Sequence, residues 1–258
     1  MGMKVNLHTH TFRCNHASGV EREYIENSIK AGLHTIGFAD HAPYYFPGEF
    51  YSGFRMRPEL QEDYVKTLLA LRDEYKEQID IKIGYETEYY PAFFAETVKM
   101  LTRYPVDYLI LGQHFIDNEV TGKYSVVRTD DEAYFKQYVD EVCEGIGTGL
   151  FTYVAHPDLV LFTGPDEIYR EHYSRLINCA KKNDVPLEIN FLGIRDRRQY
   201  PSEKFFALCG ELGAEVCTGC DAHSANVAVD AASYEVALDM VNKFGLKLNE
   251  NPRLHPVV

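Results

Sequence analysis

Seven histidines and two carboxylates carry the chemistry that this chain can do: His8, His10, His16, His41, Glu86, His114, His156, Asp221 and His223. Imidazole and carboxylate together are a donor set for zinc, manganese and iron, and burying so many side by side is costly unless cations neutralise them. His8 and His10 flank Thr9 in extended chain, so both rings face one side. Most of the others arrive singly at the end of a short apolar run, and His16 lies in the loop after the first. At four or five ligands per ion, nine ligands hold two or three divalent ions, Zn, Mn or Fe, especially where a carboxylate bridges. Any one of these histidines reads equally well as a satisfied core residue. Seven of the chain's ten placed this way form a collective signal. His34, His172 and His255 fall before a strand, on a helix and in the tail, where surface or structural roles are expected. Glu88 faces the same way as Glu86 and competes with it as the bridging ligand; Glu86 is preferred at the strand end. Asp40 and Asp158 neighbour ligands and are expected to hydrogen-bond ring nitrogens. Asp40 is also a candidate proton donor.

The elements that must position these groups follow from hydrophobic periodicity. Apolar runs at 5–7, 35–39, 81–85, 108–113, 151–155, 186–189 and 214–220 read as strands. Amphipathic stretches at 20–31, 58–78, 91–104, 129–144, 166–183, 201–212 and 229–244 read as helices. Seven alternations of strand and helix imply right-handed βαβ units and a parallel sheet. Ligands at nearly every carboxyl end favour a closed or nearly closed seven-stranded barrel, because an open sheet gathers them at one switch point. One domain, residues 1–258, is expected. The aromatic-rich segment 43–58 follows His41 and should overhang the site, as a lid or substrate wall, or pack on the rim.

Bulk properties narrow the partners. A formal net charge of -13 argues against a nucleic-acid-binding surface, while bound metal could still attract anionic small molecules. No apolar run reaches membrane-span length and none resembles a signal peptide, so a cytoplasmic protein with no membrane partner is expected. The six cysteines read as reduced core thiols. Cys217 and Cys220 are spaced as C-x-x-C but fall within the last strand, where packing outweighs redox chemistry.

The motifs combine into a resemblance. His8-Thr9-His10, Phe12-x-Cys14-x-His16, Phe38-Ala39-Asp40-His41-Ala42-Pro43, Gly84-Tyr85-Glu86, Leu111-Gly112-Gln113-His114-Phe115, Ala155-His156-Pro157-Asp158 and Asp221-Ala222-His223 resemble the PHP (polymerase and histidinol phosphatase) superfamily in order and spacing. Asp40-His41-Ala42-Pro43 and the run from Leu187 to Arg195 resemble its stand-alone histidinol-phosphate phosphatases. Cys220 stands where a small Ser is common. The resemblance implies an α/β fold, a distorted (β/α)7 TIM-like barrel with a polynuclear, three-metal site at the C-terminal ends of the strands. It implies His8, His10, Glu86 and Asp221 around the first ion, Glu86, His114 and His156 around the second, and His16, His41 and His223 around the third. The implied activity is hydrolysis of L-histidinol phosphate to L-histidinol and phosphate; the alternative is a phosphoesterase acting on nucleotides or another small phosphorylated metabolite. A non-catalytic metal-binding module is the third reading, and the intact ligand set speaks against it. Arg195 is expected to neutralise phosphate oxygens, with Arg197 and Arg198 as neighbouring alternatives and Asn190 as a further substrate contact.

Overall fold

The computed structural model describes residues 2–257. Strands β1 (Val5–Asn6), β2 (Thr35–His41), β3 (Asp80–Thr87) and β4 (Tyr108–Leu111) alternate with helices α1 (Glu21–Ala31), α2 (Gln61–Tyr75) and α3 (Phe94–Leu101). A short antiparallel pair, β5 (Phe115–Ile116) and β6 (Lys123–Tyr124), precedes β7 (Arg128–Thr129) and α4 (Glu132–Gly147). Next come β8 (Phe151–Val154), β9 (Leu161–Phe162), α5 (Asp166–Lys182) and β10 (Leu187–Asn190). Helices α6 (Phe191–Asp196) and α7 (Glu203–Leu212), β11 (Glu215–Gly219), α8 (Ala231–Phe244) and β12 (Lys247–Leu248) complete the chain.

The main sheet is parallel throughout, in the order β1-β2-β3-β4-β8-β10-β11-β12. Seven of these strands are the ones expected from periodicity, and the short β12 is an addition on the outer edge of β11. The two ends meet through the extensions of β1 and β11: His10 N donates to Ala222 O at 2.9 Å and Ala222 N to His8 O at 3.2 Å. The barrel therefore closes at its carboxyl mouth, through the residues that carry the candidate ligands.

Inside the barrel below that mouth, Leu7, Ala39, Tyr108, Ile110, Tyr153, Ala155 and Cys217 fill the space, and Leu254 of the tail packs against them. Barrel interiors of this kind are packed cores rather than pores. The larger apolar layer lies between sheet and helices. All six cysteines are free thiols, and Cys217 and Cys220 are buried.

Two local departures matter for the site. Residues 128–129 pair with 161–162 as strands, so α4 starts at Glu132 with the Asp131 side chain accepting from Tyr134 N at 3.2 Å, later than periodicity implies. After β10 the chain forms the short α6 instead of a loop, because the Asn190 side chain accepts from Gly193 N at 3.0 Å and caps it.

Candidate metal centre

Each strand end delivers its side chain to one place. His8 and His10 follow β1, His41 closes β2, Glu86 lies near the end of β3, His114 follows β4, His156 follows β8, and Asp221 and His223 follow β11. His16 comes from the turn after β1. Glu86 sits in the middle. Its Oε1 lies 2.8 Å from His156 Nε2 and 3.4 Å from His114 Nε2. Its Oε2 lies 3.1 Å from His41 Nδ1, 3.5 Å from His8 Nε2 and 3.6 Å from His10 Nε2. Asp221 Oδ1 is 3.1 Å from His10 Nε2, 3.3 Å from His223 Nδ1 and 3.7 Å from His8 Nε2. Donor atoms of His16, His41 and His223 fall within 4.8 Å of one another, as do those of His8, His10 and Asp221. All nine residues expected from the sequence converge.

Close approach of backbone makes room for the carboxylates. A Cβ at Gly112 would overlap Glu86 Oε1, and one at Gly219 would overlap Glu188 Oε1. His156 and Asp221 adopt positive φ, 32° and 45°, a strained conformation for non-glycine residues that clusters at functional sites.

A second ring of acceptors holds the imidazoles. His8 Nδ1 lies 2.7 Å from Glu188 Oε1, His114 Nδ1 2.8 Å from Glu88 Oε1, and His16 Nδ1 3.0 Å from Cys14 O. Engaging Nδ1 in this way leaves Nε2 of His8 and His114 facing Glu86, the arrangement of a ligating histidine. Glu188 was not singled out in the sequence as a site residue. Its one signal is an acidic side chain inside the short strand β10, two residues from Asn190 and hence on the same face. It also accepts from His156 N at 3.0 Å and Asn190 Nδ2 at 2.9 Å.

The electrostatics suit cations. Burial opposes ionisation of Glu86, but His114, His41 and His8 outweigh it and hold the carboxyl well below its usual range. Asp221 is likewise held low against burial, by His8, His10 and His223. Burial pushes His41 well below its ordinary value and His223 down to about 3. In His10 burial is overcome by Asp221 and Asp40, which lift it to about 9: these carboxylates draw positive charge to the spot. Several buried polar atoms, among them His8 Nε2, His10 Nε2, His41 Nδ1, Glu86 Oε2 and His223 Nε2, have no hydrogen-bond partner. Orphaned nitrogen and oxygen donors facing one another are what divalent ions would satisfy. The donor set fits.

The other expected site residues lie elsewhere. Asp40 sits behind His10: its Oδ1 is 3.5 Å from His10 Nδ1, its Oδ2 accepts from Thr11 Oγ1, and it is fully buried. It positions the ring and does not face the cavity. Asp158 accepts from Ser202 N at 2.6 Å rather than from a ring nitrogen. Asn190 is buried, donating to Asp221 Oδ2 at 3.1 Å and to Glu188. Arg195 is turned by α6 toward α8, donating to Asp230 Oδ2 at 3.0 Å, Cys220 O at 3.1 Å and Asp221 O at 3.2 Å. Arg197 is an exposed, left-handed helix cap. The cavity over the cluster, about 630 Å³, is instead lined by Arg198, with Asp196, Tyr200, Leu192, Phe54, Phe115, Tyr124 and Val126. Arg198 NH1 donates to Tyr200 Oη at 3.1 Å and NH2 to Asp196 Oδ2 at 2.9 Å.

Segment 43–58 supplies the opposite wall. Phe54 meets His41 edge-on at 5.2 Å and stacks on Phe115 at 6.0 Å, while Tyr45, Phe50 and Tyr51 remain exposed.

The PHP domain profile matches residues 6–191, most of the chain, and spans the ligands from His8 to His156. The chain belongs to the PHP family. Among curated PHP relatives, a probable histidinol-phosphatase of Deinococcus radiodurans is 28% identical over 227 residues, covering 84% of this chain and 85% of that protein. The histidinol-phosphatase of Bacillus subtilis is 28% identical over 219 residues, covering 73% and 80%. Histidinol phosphate phosphatase from Lactococcus lactis subsp. lactis, solved with Zn, L-histidinol and phosphate, shares the PHP fold at a TM-score of 0.73 and 22% identity, with 95% of each chain covered. Among the described residues no helix is long and apolar enough to cross a membrane.

Proposed function

We propose that this chain is a metal-dependent phosphomonoesterase that hydrolyses L-histidinol phosphate, with water, to L-histidinol and inorganic phosphate. The observation that carries this reading is Glu86 set among five imidazoles at the floor of a cavity lined by the guanidinium of Arg198, in a chain that matches relatives named histidinol-phosphatases over 85% and 80% of their length.

Three ions, drawn from Zn, Mn and Fe, suit the donor geometry. His8, His10, Glu86 and Asp221 would hold one, Glu86, His114 and His156 a second, and His16, His41 and His223 a third. When bound, such ions supply Lewis acidity, polarising phosphate oxygens and bringing the pKa of water toward neutrality.

The protein's own groups do the rest. Arg198, in reach of the cavity from α6's far end, supplies charge for the phosphate oxygens as negative charge redistributes over them. Phe54, Phe115, Tyr124, Val126 and Leu192 form an apolar wall able to take an imidazole ring, and Asp196 at the rim offers a carboxylate to an ammonium group. Asp40, Glu88 and Glu188 hold His10, His114 and His8 in orientation. Asp40 supports His10 from behind and is not among the residues that line the cavity.

The test is a phosphatase screen of metal-loaded protein against a panel of phosphorylated metabolites. The highest kcat/KM is expected on histidinol phosphate. A preference for nucleoside monophosphates, or no turnover of any phosphomonoester, would overturn the reading.

A further inference from the structure

Arg55, next to the cavity wall residue Phe54, is among the largest fully buried side chains, 1% exposed. Its NH1 donates to Ala42 O at 2.6 Å, and its NH2 donates to Glu88 Oε1 at 2.8 Å and to Glu119 Oε1. The guanidinium lies 5.0 Å from the centre of the Tyr44 ring and 4.7 Å from that of Phe54. Glu88 directly follows β3 and Glu119 lies in the turn between β5 and β6, so one cation ties together three pieces of chain. Glu88 meets the His114 ring, Phe54 beside Arg55 lies edge-on to it at 5.9 Å, and the β5–β6 pair begins at the residue after it. The same Glu88 oxygen that Arg55 grips is the one 2.8 Å from His114 Nδ1.

The contrast with His8 shows what this arrangement does. The carboxylate behind His8, Glu188, is held by Asn190 and by the His156 backbone, neighbours in or beside the sheet itself. The carboxylate behind His114 has no such support from the sheet, and His114 follows β4 rather than lying within it. Glu88 is completely buried, and a buried carboxylate stays ionised and fixed only with a charged, hydrogen-bonding partner. Arg55 is that partner.

We propose that Arg55 is a positioning residue for one ion of the cluster, the one at Glu86, His114 and His156. Acting through Glu88, it fixes the His114 ring with Nε2 toward Glu86 and so sets how tightly that ion is kept. The inference rests on the metal reading of the site. It makes segment 43–58 part of the metal site's support, as well as a wall of the cavity.

The test is metal retention under competition with a chelator, followed by metal analysis. Arg55→Met combined with Glu119→Leu removes one positive and one negative charge together, so the buried net charge is unchanged and a folded protein, checked by circular dichroism, is expected. That variant should release one ion about 10–100-fold more readily than wild type while the others stay. Glu88→Gln should show the same loss, and adding it to the double variant should change little, because both break one chain of contacts. Arg55→Lys, which keeps the charge but not the fork, gives the same measurement through a milder change, and partial loss is expected. A purely structural role would lower the melting temperature and leave metal affinity alone. Folded variants that keep every ion as wild type does would overturn the inference. If Glu86→Gln also keeps every ion, the metal reading itself fails.

Discussion

Gly112, the residue after β4, lies directly against the Glu86 side chain of β3. The backbone of Gly112 passes so close to the carboxylate that any Cβ would occupy the place of Oε1. Glu86 has no free direction to retreat, since both oxygens face histidines within 3.6 Å. Gly112→Ala should therefore displace the carboxylate, lowering metal content and turnover together, with about 1–3 kcal/mol of stability lost to overpacking. Gly147→Ala, where nothing lies within 4 Å of the added methyl, is the control and should be silent. Normal metal content in Gly112→Ala would mean that Glu86 does not need its present position.

Glu86→Gln and Glu188→Gln separate a ligand from its support. Loss of the Glu86 charge should remove more than one ion and abolish turnover, because the side chain faces both halves of the cluster. Glu188 meets a candidate ligand ring only at the far nitrogen of His8, its other bonds being from His156 N and Asn190 Nδ2, so Glu188→Gln should weaken metal binding by about 10–100-fold and leave residual activity. Equal effects of the two substitutions in metal analysis would contradict this order.

Arg198 and Arg195 should differ in kind. Arg198→Ala removes the cation that lines the cavity and should lower kcat/KM on histidinol phosphate by about tenfold or more, since a charge-assisted bond at a partly exposed site is worth at least about 1.4 kcal/mol. Metal content should not change. Arg195→Ala breaks the tie between α6, α8 and the carbonyls of Cys220 and Asp221, so its main effect should be on urea stability. A silent Arg198→Ala with a kinetic defect in Arg195→Ala would reassign the phosphate contact.

Glu141 on α4 should make stability depend on pH. Burial raises its carboxyl from the ordinary 4.5 to about 7, despite donors from Asp117, Gln113 and Gln137. With the folded value above the unfolded one, the folded protein holds a proton that the unfolded chain releases. The contribution to stability is thus full below the ordinary value and is lost as pH rises through about 7. The stability of Glu141→Gln relative to wild type should rise with pH across this window and then level, as read from urea midpoints. A difference that falls with pH would show that the donors, not burial, dominate.

The strands and the candidate ligands that gather at their ends were legible in the sequence because both repeat: an apolar run followed by a histidine or carboxylate, again and again around the barrel. A parallel barrel brings every carboxyl strand end to one mouth, so listing those ends already lists the ligands of Glu86's neighbourhood. Glu86 and Glu88 looked alike at that level, since residues two apart on a strand share a face. Only the packing separated them, with Gly112 making room for one and Arg55 drawing the other outward.

Tertiary structure alone decided what lies beyond the strand ends. Asn190 looked like a substrate contact, yet it caps a short helix, and the phase of that helix turns Arg195 toward Asp230 and leaves Arg198 at the cavity. The sequence does not show what Glu188 and Arg55 support, because a brace is defined by a partner distant in sequence: 180 residues separate Glu188 from His8. Periodicity records which face of an element is buried. Which buried groups meet there is fixed by the closure of the barrel and by side-chain packing, and neither is local.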